Sequence, residues 1–198
     1  VALTTLAAPS FAVTILPEEM AEQAAWSAAK FGGIPESLSA EPGLIVLENY
    51  GPVGRNARDG KPLRIGDKQY VHGLYCHAAS RVLVRLPGPG KSLSATVGID
   101  TDGEYGGGSV VFVVRVNGKD AATSPVMHRG EAGVPLSADL HGATEFELIV
   151  TDAGDNINSD QASWAEAAIT LADDNTIRIG DMPIKEYRRK PYSPELPF

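Results

Sequence analysis

From residue 44 to residue 179, short apolar or alternating runs are separated by turns that contain glycine. Ser109–Val116 is almost entirely apolar, and Asn117-Gly118 follows it directly, a pair that favours a tight hairpin turn. Residues 93–99 alternate between apolar and polar side chains, which is the period of a half-buried strand. Many short strands at spacings of about 8–12 residues predict an all-β fold, a jelly-roll β-sandwich.

The same reading places individual elements along the chain. One N-terminal α-helix is predicted over Pro17–Phe31, because proline and two glutamates suit a first helical turn and Gly32-Gly33 suit its end. The remaining elements are all predicted as strands: 44–50, 70–78, 81–86, 93–99, 109–116, 135–140, 145–150, 165–171 and 176–179.

The chain is predicted to have four parts. Residues 1–12 are apolar and small, and they are interpreted as the remnant of a secretory signal peptide or, alternatively, as an ordinary arm or strand. Residues 13–43 hold the helix and a loop, and residues 44–182 form the sandwich. Residues 183–198 are rich in proline and are predicted to link the sandwich to a downstream domain. The predicted location is secreted or periplasmic.

Composition excludes several classes of protein. The formal net charge is −8, which argues against a nucleic-acid partner because such domains usually carry a basic face. Cys76 is the one cysteine, so neither an internal disulfide nor a cysteine zinc cluster is predicted. No run approaches the ~18 apolar residues of a membrane span, so no membrane partner is predicted.

Residues 151–167 concentrate acidic and amide side chains before a tryptophan, Trp164. Such a loop is compatible with a cation site, a sugar site, a pair of catalytic carboxylates or a solvated turn, and the spacing of the residues does not distinguish among these roles. A helix-loop-helix calcium loop is excluded because Gln161 and Ala167 stand where it needs glycine and glutamate. Within the segment, the candidate ligands for a structural calcium are Asp155, Asn158 and Asp160.

A second acidic group follows the strand predicted over residues 93–99. Asp100 and Asp102 precede a glycine-rich stretch and are also candidate calcium ligands, with a solvated hairpin tip as the alternative.

The segment Cys76–Arg81 carries groups with more than one use. Adjacent residues of a strand point to opposite faces, so Cys76 and His77 are not expected to form a catalytic dyad. His77 and Arg81 are candidate hydrogen-bond donors to a ligand, and the alternative is a core histidine and an arginine paired with a carboxylate such as Asp152. Trp164 is a candidate platform for a sugar ring or a core residue. No catalytic residue is predicted.

Two long segments together resemble the NPCBM family, carbohydrate-binding module family 51. They are GLYCHAASRVLVRLPGPGKSLSATVGIDTDGEYGGGSVVFVVRVNGK and SPVMHRGEAGVPLSADLHGATEFELIVTDAGDNINSDQASWAEA. The resemblance covers roughly Leu44–Leu171, with Gln161 where a histidine is common and Ser163 where an aspartate is common. The matching polar or aromatic positions are His77, Ser80, Arg81, Asp152, Asp155, Asp160 and Trp164.

The resemblance implies a non-catalytic jelly-roll module that binds galactose-type glycans, commonly with a structural calcium, attached to a glycoside hydrolase resembling an α-galactosidase. The sugar-binding residues it implies are His77, Arg81, Asp152 and Trp164. One alternative is a structural or interdomain sandwich that has lost sugar binding. Another is catalysis by this chain itself, which needs two convergent carboxylates in a deep pocket.

Overall fold

The computed structural model describes residues 41–102 and 106–187. The predicted helix over Pro17–Phe31, the predicted signal remnant and most of the predicted linker lie outside the described residues.

Within these two ranges the chain forms fifteen β-strands and one short 3₁₀ turn, Ile179–Asp181. The strands are β1 (Gly43–Glu48), β2 (Gly54–Arg55), β3 (Leu63–Ile65), β4 (Lys68–Tyr70), β5 (Gly73–His77), β6 (Ser80–Arg85), β7 (Gly90–Ile99), β8 (Ser109–Val116), β9 (Lys119–Thr123), β10 (Met127–His128), β11 (Val134–Asp139), β12 (Glu145–Thr151), β13 (Gln161–Leu171), β14 (Thr176–Arg178) and β15 (Ile184–Tyr187).

The strands form two main sheets. The first sheet has the order β10-β8-β12-β6-β1-β15, with β9 beside β8, and the second has the order β11-β7-β13-β5-β2, with β14 beside β13. Strands β5 to β8 lie alternately in the second and the first sheet, and so do β11 to β13. This alternation is typical of a jelly roll, so the prediction of an all-β sandwich is confirmed.

One apolar core fills the space between the sheets, because alternate side chains of each strand point inward. Phe112 of β8 and Trp164 of β13 meet there edge to face, with ring centroids 5.0 Å apart. Neither side chain has solvent exposure. Burying large aromatic side chains contributes heavily to core stability.

The second sheet is also covered on part of its outer face. Leu63 and Ile65 of the hairpin β3–β4 are fully buried there, outside the main core. Gly98 of β7 lies beneath Ile65, and a Cβ at that position would collide with the Ile65 Cγ2 atom. Glycine is therefore required where the hairpin lies closest to the sheet.

Four connections meet at one end of the sandwich, called here the loop end: β1–β2, β5–β6, β7–β8 and β12–β13. The Ala78 amide donates to the Asp160 carbonyl at 3.1 Å, and the Asp100 amide donates to the Gln161 carbonyl at 2.8 Å. The Tyr50 amide donates to the His77 carbonyl at 3.4 Å. Backbone contacts thus bring together loops that are far apart in sequence.

Several predicted boundaries are wrong, two of them by four residues or more. Strand β13 begins at Gln161 rather than at residue 165, because residues 161–165 already pair with β5 and, from residue 162, with β7. The sandwich also continues beyond residue 182, where the linker was expected to begin. Strand β15 lies parallel to β1, with Leu44 opposite Ile184.

Candidate functional site

An exposed aromatic ring stands at the loop end. Tyr50, in the β1–β2 connection, is 64% exposed, and its ring centroid lies 4.9 Å from that of His77 at an interplanar angle of 45°. The Asn49 side chain fixes this arrangement, because its Oδ1 accepts from the His77 amide at 3.1 Å and its Nδ2 donates to the Gly51 carbonyl at 2.9 Å. The Asn49 side chain therefore ties the backbone around Tyr50 to the backbone of His77, which keeps the two rings together.

The imidazole of His77 has one defined tautomer. Its Nδ1 lies 2.8 Å from the Ala78 carbonyl oxygen, which can only accept, so Nδ1 carries the proton. The other ring nitrogen, Nε2, then carries the lone pair. In the neutral imidazole, Nε2 can accept a hydrogen bond from a ligand, and the donor role expected of His77 from the sequence stays a prediction.

Gln161 lies beside His77 on the neighbouring strand. The two residues are Cα partners across β5 and β13, and both side chains leave the outer face because Cys76 and Ala162 point into the core. Gln161 is 8% exposed, and its Oε1 is buried without a hydrogen-bond partner in the described part of the chain.

Asp160 is a second buried acceptor at the loop end. It has no solvent exposure; its Oδ1 accepts from the Ser109 amide at 2.9 Å, and its Oδ2 is buried without a partner among residues 41–102 and 106–187. Burial, with the nearby Asp155 and Asp152 charges, raises the pKa of Asp160 to about 6 despite the Ser109 hydrogen bond.

The rest of the acidic loop is more open. Asp155 accepts from the Ser109 hydroxyl at 2.7 Å through Oδ2, and hydrogen bonds from the Asn156 amide and Ser109 lower the pKa of Asp155. Asp152 accepts from the Gly154 amide at 3.1 Å, as in a turn closed by an aspartate side chain. Asn158 is exposed.

Asp100 is a structural residue, so its prediction as a calcium ligand is corrected. It has no solvent exposure, and both carboxylate oxygens are already occupied. Oδ1 accepts from Arg58 Nη1 and from the Asp102 amide, each at 3.0 Å. Oδ2 accepts from the Arg64 amide at 3.1 Å and from the Ser163 hydroxyl at 2.9 Å. Arg58 itself is buried and lies 5.1 Å from the centroid of the Tyr75 ring.

Asp102 forms an ion pair with a lysine side chain. Lys61 Nζ lies 3.3 Å from its Oδ2, and the lysine side chain is largely exposed. Nowhere in the described ranges do three or more histidine, cysteine, aspartate or glutamate side chains gather closely enough to hold a metal ion.

Arg81 lies on the opposite face of the sandwich from His77. Val82 and Val84 of β6 point into the core, so Arg81 leaves the outer face of the first sheet, where its Nη2 donates to Glu147 Oε1 at 2.8 Å. It lines a shallow groove of about 400 Å³ with Arg115 and Glu147. The prediction that Arg81 and His77 share a site is therefore wrong, and Glu147, not Asp152, is the partner of Arg81.

The sugar platform predicted at Trp164 is also wrong. Its indole has no solvent exposure and packs on Phe112, so neither ring face is open to a ligand. His77 and the residues Asp152, Asp155, Asn158 and Asp160 thus lie at the loop end, whereas Arg81 faces the other side of the sandwich and Trp164 is buried in the core. Sequence reasoning missed Tyr50, whose signal was an aromatic residue immediately after a strand in a glycine-proline turn.

The comparison with protein families decides the classification. The profile of the NPCBM/NEW2 domain matches residues 20–170. The chain belongs to this family. The resemblance read from the sequence motifs is thereby confirmed.

Curated relatives of the module are enzymes of greater length. A Renibacterium salmoninarum protein, provisionally named an endo-alpha-N-acetylgalactosaminidase, is 35% identical over 125 residues, which is 60% of this chain and 8% of that protein. Alpha-1,3-galactosidase B of Akkermansia muciniphila is 34% identical over 145 residues, which is 71% of this chain and 18% of the enzyme. The chain therefore spans less than a fifth of either relative.

A solved structure supports the same grouping. The CBM51 module of a Clostridium perfringens GH95 protein, in complex with methyl-galactose, superposes with a TM-score of 0.56 at 25% identity. The match covers 63% of this chain and 92% of that module. Among the residues described here, no helix is long and apolar enough to cross a membrane.

Proposed function

We propose that this chain is a non-catalytic carbohydrate-binding module that recognises galactose-type glycans and holds a glycoside hydrolase close to them. Membership of the NPCBM/NEW2 family supports this role. The names of the two curated relatives, a galactosidase and an N-acetylgalactosaminidase, support a galactose-type sugar and a hydrolase partner. We propose further that the module acts outside the cytoplasm, where such glycans are found.

The observation that carries the proposal is the exposed Tyr50 ring braced against His77. An aromatic face offers a flat apolar surface for the C–H side of a pyranose, and a polar group at its edge fixes orientation. Here the imidazole of His77 lies beside the ring, with centroids 4.9 Å apart, and its neutral form can accept a hydrogen bond at Nε2. Asp152 lies in the β12–β13 connection at the same end of the sandwich. Tyr50 thus takes the platform role that the sequence assigned to Trp164.

The expected affinity follows from the size of such a site. One stacked ring and a few hydrogen bonds, each contributing about 0.5–1.5 kcal/mol, must offset the cost of association. A dissociation constant between about 1 μM and 1 mM is therefore expected.

Titration with methyl galactoside, followed by NMR with calcium present, tests the proposal. Tyr50→Ala should abolish or strongly weaken binding. Val71→Ala is the matched control, because Val71 is 63% exposed but precedes β5, at the opposite end of that strand from His77. No binding at millimolar galactoside by the unmodified protein, or equal binding by Tyr50→Ala, would contradict the proposal.

A structural or interdomain role is the second candidate, and the burial of Trp164 favours it. In that case the sandwich stabilises or positions a catalytic domain without holding sugar. A glycan array with calcium present separates the two roles. Binding of any glycan that Tyr50→Ala removes would exclude a purely structural module.

We also propose that Asp155, Asn158 and Asp160 bind a structural calcium ion. The supporting observation is Asp160 Oδ2, a buried carboxylate oxygen without a partner in the described ranges, a group that calcium would satisfy. Because a ligand of the native state stabilises it by mass action, a chelator should lower the melting temperature. The shift should vanish in Asp160→Asn and persist in Asp102→Asn. An unchanged melting temperature on chelation would contradict the proposal.

A further inference from the structure

The last described strand of the module runs toward the loop end. Strand β15 pairs with β1 in parallel, with Leu44 opposite Ile184 and Val46 opposite Tyr187. Tyr50 lies just beyond the end of β1, in the β1–β2 connection. Because the two strands share one direction, the chain leaves β15 toward the end of the sandwich that carries the Tyr50 ring.

The end of β15 lies close to this ring. Tyr187, the last residue of β15, is opposite Val46, which precedes Tyr50 by only four positions. With a rise of about 3.3 Å per residue and about 5 Å between neighbouring strands, the backbones of Tyr187 and Tyr50 are separated by about 15 Å.

The opposite end of the sandwich lies farther from the ring. Arg85 is opposite Gly43, where β1 begins, and Gly88 follows in the β6–β7 connection. Strand β1 has six residues, so it separates the level of Gly88 from that of Tyr50 by about 20 Å or more.

Hydrogen bonds fix the segment that enters β15. The Leu44 amide of β1 donates to the Pro183 carbonyl at 2.9 Å. Arg55 Nη1 of β2 donates to the Met182 carbonyl at 3.1 Å. The segment is thus attached to strands of both sheets, so the direction in which the chain leaves the module is set by the fold.

We propose that a hydrolase domain following β15 in the chain lies at the sugar-binding end of the module, where it reaches the glycan that the module holds. This inference rests on the proposed function, since it needs a sugar site at Tyr50 and a hydrolase in the same protein. A tether that begins near the bound sugar gives the hydrolase a high effective concentration around that glycan. A tether that began at the Gly88 end would place the sandwich between the hydrolase and the glycan.

Paramagnetic relaxation of bound methyl galactoside, measured by NMR, tests this placement. A nitroxide is attached to a cysteine introduced by Arg188→Cys, directly after β15, or by Gly88→Cys, where a Cβ would have no neighbour within 4 Å. Cys76 is 1% exposed and stays unlabelled. Because the enhancement falls with the sixth power of distance, the label at residue 188 should act on the sugar protons about fivefold or more strongly than the label at Gly88.

A label introduced by Lys185→Cys, within β15, should act more weakly than the label at residue 188 and more strongly than the label at Gly88. Melting temperatures and galactoside titrations of the labelled proteins control for misfolding and for lost affinity. Equal enhancement from residues 188 and 88, or a stronger one from Gly88, would overturn this inference while the proposed function stands. Failure of the unlabelled protein to bind methyl galactoside would overturn the proposed function and this inference with it.

Discussion

Replacing Asp100 by asparagine should destabilise the sandwich strongly, although it only exchanges one carboxylate oxygen for an NH₂ group. Asp100 is fully buried and accepts four hydrogen bonds, one of them from the buried guanidinium of Arg58 at 3.0 Å. Asparagine keeps one accepting oxygen but directs an NH₂ group toward donors. It also leaves Arg58 buried beside a neutral group. Breaking a buried ion pair from one side costs about 3–5 kcal/mol.

The expected loss is visible in thermal unfolding. For a domain of this size each kcal/mol lowers the melting temperature by about 2–4 °C, so Asp100→Asn should lower it by roughly 6–20 °C. Asp102→Asn is the control, because Asp102 pairs with an exposed lysine, and such pairs contribute at most about 1 kcal/mol. Both variants should be measured with a chelator present, to separate packing from metal binding.

Two results would refute the reasoning. One is a loss of less than about 1 kcal/mol in Asp100→Asn, which would mean that the four donors find other partners. The other is a double variant in which the losses of unfolding free energy caused by Asp100→Asn and Arg58→Met simply add. Residues in one hydrogen-bonded pair should show a coupling energy of about 0.5–3 kcal/mol.

Four further outcomes follow from burial and charge. The pKa of Asp160 is about 6 in the folded state, which is above its value in the unfolded chain, so the folded state binds the proton more tightly. The free energy of unfolding should therefore fall as pH rises from about 4 to about 6. Urea titrations with chelator should show this slope, and Asp160→Asn should lack it. Gly98→Ala should destabilise by about 1–3 kcal/mol through overpacking against Ile65, and Ile65→Ala should absorb most of that cost in the double variant; equal costs in both backgrounds would contradict the close approach. Trp164→Ala should cost about 3–5 kcal/mol in chemical denaturation, and a cost below 1 kcal/mol would argue against its core position. Burial raises the pKa of the Cys76 thiol to about 12, so dithionitrobenzoate at pH 8 should react only as fast as the protein unfolds; rapid stoichiometric reaction would contradict its burial.

The sequence predicts strands well where one face is apolar and the other is solvated. Ser109–Val116 was predicted with its observed bounds because its apolar run ends at a clear hairpin turn. The start of β13 was missed because Gln161 and Ser163 look like loop residues, whereas the β5 and β7 strands and Asp100 enclose them. The hydrophobic periodicity of the local sequence does not reveal polar side chains that a distant segment buries.

The candidate site was harder to predict, because spacing along the chain does not reveal which sheet a residue joins. His77 and Arg81 are four residues apart, but the turn at residues 78–79 carries the chain from the second sheet to the first. Their side chains therefore leave opposite faces of the sandwich. Asp100 posed a similar difficulty, since its charge partner Arg58 lies 42 residues away.

The pairing of β1 with β15 bears on how the module carries load. The first and last described strands lie side by side and run in the same direction, with Leu44 opposite Ile184 and Val46 opposite Tyr187. Glu41 and Lys185 form an ion pair beside them. If the chain is pulled at the start of β1 and at the end of β15, the two parallel strands slide along each other. The force then acts on all the hydrogen bonds between them at once, instead of breaking them one by one. Such a seam resists sudden tension, a useful property in any module that keeps a large partner attached to an immobile surface.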